Sequence, residues 1–181
     1  MTPEAAVAEP AIRVLFSAQQ IAARVREMGL QIARDLEGKR PVFIGVLKGA
    51  CMFQSDLARA TPLEATLDFL SVSSYGAGTT SSGTVRLVSD LRNDIADAHV
   101  LLCEGVVDSG LTLSFILDLL RSRNPASVRV ATLLDKLPCR KTPVQVDYAG
   151  WRIGPEFVIG YGMDANERYR NLPYVGVVEE S

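Results

Sequence analysis

Apolar residues recur along this chain in two alternating rhythms. Behind Ser17, the positions Ile21, Val25, Met28, Ile32 and Leu36 return at spacings of three and four. That predicts an amphipathic helix over 17–37 with Ser17 as its cap. Residues 41–47 form a short apolar run that reads as a buried strand, and a helix is predicted over about 50–59. Leu63, Ala65, Leu67 and Phe69 alternate with other residues, which predicts a strand through Ser71. Residues 73–83 are rich in Ser, Gly and Thr and read as a loop. Strands are then predicted over 84–88, 99–104 and 128–134, a helix over 110–123, and shorter strands around 144–148, 157–160 and 174–178. Helices that alternate with strands imply an α/β fold, a mainly parallel sheet flanked by helices. Ligands of such a sheet are expected beyond the carboxyl ends of its strands.

The composition adds limits. A chain of 181 residues without an internal repeat or linker is read as one domain, residues 1–181, long enough to bury a core without a disulfide or metal staple. The net charge of −2 supplies no basic footprint for nucleic acid. Cys51, Cys103 and Cys139 show no CxxC spacing; Cys51 and Cys103 lie in apolar segments and suit a reducing, cytoplasmic compartment. Residues 1–12 are expected to be flexible, and residues 1–10 lack the basic-then-apolar pattern of a signal segment. No apolar stretch approaches a membrane span.

The chemistry concentrates in residues 101–112, LLCEGVVDSGLT. These read as a buried strand ending in the acid Glu104, then a polar loop opening a helix. Asp108, Ser109, Gly110, Leu111 and Thr112 can turn backbone N–H groups, two hydroxyls and a helix N-terminus toward a phosphate. The run has neither the Walker A nor the GxGxxG spacing. Glu104 and Asp108 flank the loop, would repel a bare triphosphate, and suit sugar hydroxyls or a magnesium ion. The implied ligand is therefore a sugar phosphate.

This stretch resembles the diphosphoribosyl-binding motif of type I phosphoribosyltransferases, and five more segments resemble the hypoxanthine-guanine branch in register. Leu47-Lys48-Gly49 is similar to the pyrophosphate loop of that family, and Ser73-Ser74-Tyr75-Gly76 to the start of its mobile lid. Leu134-Asp135-Lys136 and the run from Phe157 to Asp164 resemble its purine pocket, a small hood, and the run from Asn166 to Tyr174 completes the match. The resemblance implies transfer of a phosphoribosyl group from phosphoribosyl pyrophosphate to an oxopurine base, releasing pyrophosphate. It assigns Glu104, Gly105, Asp108, Ser109, Gly110, Leu111 and Thr112 to the phosphoribosyl group. Leu47, Lys48, Gly49 and Arg170 fall to pyrophosphate, and a cis bond is expected between Leu47 and Lys48. Ser74 and Tyr75 become the lid. Lys136 would read the exocyclic oxygen of the purine, Phe157 would stack on the ring, and Val158 and Asp164 would meet its other edge. Glu104 and Asp164 would hold Mg2+, and Asp108 would be the catalytic acid–base or would stabilise the ribose cation. Homodimers or homotetramers are implied as well.

Each residue also has a plainer reading. Phe157 alone would be core, Lys48 a surface lysine, Asp164 and Arg170 a surface ion pair of little worth, and 73–83 a flexible loop. His99 is read as exposed, Trp151 as core or interface, and Arg121, Arg123 and Arg129 as a solvated face. Gly105 departs from the resemblance, which carries a second acid beside Glu104. A lost charge-assisted hydrogen bond of about 1.5–3 kcal/mol would weaken sugar binding about ten- to a hundredfold. The alternative to an enzyme is a nucleotide-binding regulatory paralogue with little turnover; relatives of that kind bind RNA, which the acidic pI of about 5.5 disfavours.

Overall fold

The structure is a computed structural model and describes residues 11–74 and 85–179. Five parallel strands and one antiparallel edge strand form the main sheet. Its strands are β2 (Val42–Leu47), β3 (Thr66–Ser74), β4 (Val85–Ser89), β5 (His99–Val107), β6 (Ser127–Asp135) and β7 (Tyr148–Arg152), in the order β4-β3-β2-β5-β6-β7. Helices α1 (Ala18–Asp35) and α2 (Cys51–Ala60) cover one face and α3 (Leu111–Arg121) the other. The strands alternate accordingly. Phe43, Leu101 and Leu133 point into the cluster with α1 and α2, whereas Ile44, Leu102 and Val130 point into the cluster with α3. Burial on both faces explains why β2, β5 and β6 read as nearly unbroken apolar runs. A second, antiparallel sheet of β1 (Ile12–Phe16), β9 (Val175–Val178) and β8 (Val158–Ile159) forms the small hood.

Ser17 caps α1 as expected, in a capping box with Gln20. Several boundaries differ from the sequence reading. β5 does not end at Glu104 but runs on through Gly105 to Val107, paired with β6 as far as Asp135. β3 starts at Thr66 and reaches Ser74, so the first two loop residues extend a strand. The strand expected at 144–148 lies instead at β7, where Tyr148 pairs with Ala131. β1 had no predicted counterpart; of the segment expected to be flexible, residues 1–10 lie outside the described residues, and Ile12 already pairs with Val178.

Three minor readings also change. Half-buried His99 meets the Ser127 hydroxyl at 2.8 Å, so it is not simply exposed. Arg129 is not solvated either: it donates to the Tyr148 hydroxyl at 2.6 Å and lies 3.7 Å from Asp35. Cys103 is buried as expected, whereas Cys51 is only half-buried. Trp151 stacks on Phe16 with ring centroids 4.2 Å apart, tying the hood to the main sheet.

The strand order reverses direction between β2 and β5: the chain leaves β2 for β3 on one side and β5 for β6 on the other. Such a switch point opens a crevice at the strand ends, the usual ligand position in open α/β sheets.

Candidate active site

Three loops meet at that crevice, after β2, β5 and β6. The loop after β5 surrounds a cavity of about 160 Å³ lined by Glu104, Val107, Asp108, Ser109, Gly110 and Thr112 among others. Gly110 has φ +85° and begins α3 without a side-chain cap. A Cβ there would stand 2.5 Å from the carbonyl oxygen of Thr142, so the position requires glycine. The Ser109 hydroxyl accepts from the Leu111 N–H at 3.4 Å, and the Ser109 carbonyl accepts from the N–H groups of Lys141 and Thr142 at 2.9 and 3.0 Å. The loop is thus braced from behind while the uncapped end of α3 faces the cavity, which suits an anion.

Lys136 follows β6 and is buried, with 6% of its side chain exposed, and its Nζ donates to Asp108 Oδ2 at 3.4 Å. The Asp108 side chain is 55% exposed, so this carboxylate faces the open crevice while holding a buried ammonium. Asp135, next in sequence to Lys136, is not its surface companion: it is buried and pairs with Arg140. Arg140 also donates to the Val144 carbonyl at 3.3 Å. Sequence reading missed Arg140, since only the fold brings it under the strand end.

Glu104 sits near the end of β5 with limited access to water. Burial pushes its carboxyl up from 4.5 to about 8, against the pull of the Gly105 backbone N–H. A carboxyl whose folded-state pKa exceeds its unfolded value stabilises the fold fully below the unfolded value, and that contribution is lost as pH rises toward the folded one. The free protein is therefore expected to lose stability between pH 4.5 and about 8 on account of Glu104. Glu104→Gln should remove that loss and melt about 2–4 °C above the parent protein near pH 8.5, with little gain near pH 5, if about 1 kcal/mol is at stake. Thermal unfolding at the two pH values checks this; equal melting temperatures near pH 8.5 would contradict the buried-carboxyl assignment.

Gly105 is buried, and a Cβ on it would face the Gly49 carbonyl oxygen at 3.0 Å and Met163 Cγ at 3.7 Å. The same Gly49 oxygen would lie 2.3 Å from a Cβ on Gly162, whose φ is +98°. The loop after β2 is therefore wedged between β5 and the hood by backbone alone.

Leu47 ends that strand, and its peptide bond to Lys48 is cis, as expected. Lys48 Nζ lies 2.8 Å from Glu167 Oε2, with both side chains largely exposed. Arg170 approaches the same glutamate from the hood at 3.2 Å, reaches Asp164 Oδ1 at 2.8 Å, and donates to the Gly162 carbonyl at 2.8 Å. The structure thus brings Lys48, Arg170 and Asp164 together, and adds Glu167, to which the sequence assigned no role. Lys48 and Arg170 hold the Glu167 carboxyl below its usual range. In the hood, Val158 is buried while Phe157 is 62% exposed, so Phe157 is not core. Ser74 is the last residue of β3; Tyr75 and the rest of the expected lid to residue 83 lie outside the described residues.

The phosphoribosyl transferase domain family matches residues 14–166. The chain is similar to the hypoxanthine-guanine phosphoribosyltransferase of Mycobacterium tuberculosis (strain H37Rv), at 48% identity over 92% of this chain and 85% of that protein. It is 43% identical to the bifunctional protein TilS/HprT of Listeria monocytogenes, covering 92% of this chain but only 26% of that longer protein's length. Among solved structures, a hypoxanthine phosphoribosyltransferase from Staphylococcus aureus superposes with a TM-score of 0.89 at 42% identity, covering 92% of this chain and 91% of the other.

Proposed function

The chain belongs to the phosphoribosyl transferase domain family, in its hypoxanthine-guanine branch, and we propose that it transfers the phosphoribosyl group of phosphoribosyl pyrophosphate to hypoxanthine or guanine, a purine-salvage reaction yielding IMP or GMP and pyrophosphate. The observation that carries this reading is the buried Lys136 ammonium held by Asp108 at the mouth of the uncapped loop. It sets a fixed hydrogen-bond donor beside a carboxylate that lines the cavity of the 108–112 loop.

In this reaction the bond from ribose C1 to the pyrophosphate oxygen breaks, its electron pair leaves with pyrophosphate, and a purine nitrogen bonds to C1. Positive charge builds on the ribose, as in glycoside cleavage. The 108–112 loop holds the 5′-phosphate with backbone N–H groups and hydroxyls. Lys48 and Arg170 meet the charge of the leaving group. Asp108 stands where it can accept the proton that the purine sheds, or stabilise the ribose cation. Lys136 donates to an exocyclic oxygen and rejects adenine, whose amino group offers a donor in the same place. Phe157 has the exposure that stacking on a base requires.

Magnesium takes one or two carboxylates and completes its shell with phosphate oxygens and water. Glu104 and Asp164 would hold it, and bound magnesium would neutralise charge on the leaving group. The same family membership supports assembly as a homodimer or homotetramer, which a sizing column tests, and a cytoplasmic location. No helix among the described residues is long and apolar enough to cross a membrane.

Purified protein with magnesium, phosphoribosyl pyrophosphate and hypoxanthine or guanine is expected to form the monophosphate; no product with any oxopurine, xanthine included, would sink the reading. Gly105 tests the sugar site. A side chain there presses the Gly49 carbonyl, so the informative comparison is between two variants that share that contact. Gly105→Asp is expected to show a KM for phosphoribosyl pyrophosphate about tenfold below that of Gly105→Ala, the worth of one charge-assisted hydrogen bond. Equal KM values would mean that a carboxylate at this position does not reach the ribose.

A further inference from the structure

We propose that Glu167 is a placeholder for the leaving group: it occupies the two cations of the pyrophosphate site in the free protein and is displaced when pyrophosphate or phosphoribosyl pyrophosphate enters. The inference rests on the transfer reaction proposed above.

Two cations from separate elements converge on this one carboxylate. Lys48 comes from the loop after β2 and contacts one oxygen at 2.8 Å; Arg170 comes from the hood and contacts the other at 3.2 Å. Glu167 has both oxygens engaged and neither buried, since its side chain is 64% exposed. Its position is also specified by the backbone. Asn166, Glu167 and Tyr169 have φ of +52°, +62° and +75°, and the Glu167 N–H donates to Asp164 Oδ2 at 2.8 Å. Three left-handed non-glycine residues within four positions are costly, and such strain gathers where geometry serves a ligand. With Asp164 also on Arg170, two carboxylates balance two cations.

An ion pair in water is worth little, so a pyrophosphate, with several negative charges and many acceptor oxygens, outcompetes a single exposed carboxylate. Glu167 therefore weakens pyrophosphate binding and competes for the cations again as soon as pyrophosphate starts to leave. It keeps Lys48 and Arg170 pointing at one another between turnovers and opposes retention of product. Arg170 Nε, buried without a hydrogen-bond partner among the described residues, marks the hood side as having donor capacity to spare.

The test is binding of inorganic pyrophosphate, with magnesium, to the full chain by calorimetry. Two exposed pairs removed together should tighten it in Glu167→Gln by about three- to tenfold. Inhibition by pyrophosphate against phosphoribosyl pyrophosphate should tighten by the same factor, and the KM for hypoxanthine should stay put. A merely structural role would loosen binding instead. Unchanged or weaker pyrophosphate binding overturns the proposal. Should Glu167→Gln fail to fold, Glu167→Asp keeps the charge on a shorter arm; it should tighten binding by a smaller factor, and again an unchanged or larger constant overturns it. If the unmodified protein transfers phosphoribosyl groups yet these variants do not tighten, this inference alone fails. If the unmodified protein makes no nucleotide from any oxopurine, the transfer reading fails first.

Discussion

Asp108→Asn is expected to lower kcat by about a hundred- to ten-thousandfold, the range that one positioned acid–base group supplies. The substitution keeps the shape and one acceptor oxygen but cannot take up a proton, and it carries no charge to face a developing ribose cation. The Asp108 side chain is 55% exposed in the free protein, so it is reachable by a ligand in the crevice. Binding of phosphoribosyl pyrophosphate should change far less than turnover, because the substitution leaves the proposed 5′-phosphate site, the uncapped end of α3 and the braced Ser109–Gly110 turn, intact. Steady-state kinetics beside direct binding of the sugar substrate separates the two. A loss confined to KM, with kcat intact, would move Asp108 from chemistry to sugar binding.

Lys136→Met is expected to reduce kcat/KM for hypoxanthine and guanine by about ten- to a hundredfold or more, as loss of a charged hydrogen bond of about 1.5–3 kcal/mol requires. Methionine reproduces the lysine side chain as far as its ε-carbon and fills most of the same buried space, so the fold should survive. What goes is the partner of Asp108 and the donor proposed to meet the purine oxygen. The cost should fall on the base and not on the sugar: the KM for phosphoribosyl pyrophosphate is expected to hold, while the preference for oxopurine over adenine narrows. Rates with hypoxanthine and adenine, compared in the parent and the variant, check it. An undiminished preference would place purine selection elsewhere than at Lys136.

The sequence made the architecture legible where local periodicity and tertiary burial agree. The three-and-four rhythm of α1 and the apolar runs of β2, β5 and β6 are such places. It misled where apolar alternation has another cause. Val144 and Val146 alternate like a strand, yet they pack against the cluster beneath α3, and ladder pairing begins only at Tyr148. β1 is five residues long and gains its identity from β9, over a hundred residues away, which no local pattern reports. The site divides in the same way. Glu104, Asp108, Lys48, Lys136 and Arg170 could be proposed from sequence because they sit in short motifs that resemble those of the family. Glu167 and Arg140 could not, because their importance lies in which charges the fold brings beside them. The 3.4 Å approach of Lys136 to Asp108 likewise spans two strands and leaves no trace in spacing.

The peptide unit of Gly49 has a consequence of a different sort. Its carbonyl oxygen is caught between two α-carbons that carry no side chains, one in the main sheet and one in the hood. Side chains relax by changing rotamer; a contact of backbone on backbone has no such freedom. The distance between β5 and the hood is thus set by main-chain thickness, as by a machined spacer. Surface substitutions around the crevice can accumulate without altering that gap, whereas a single added carbon at Gly162 would jack the two apart.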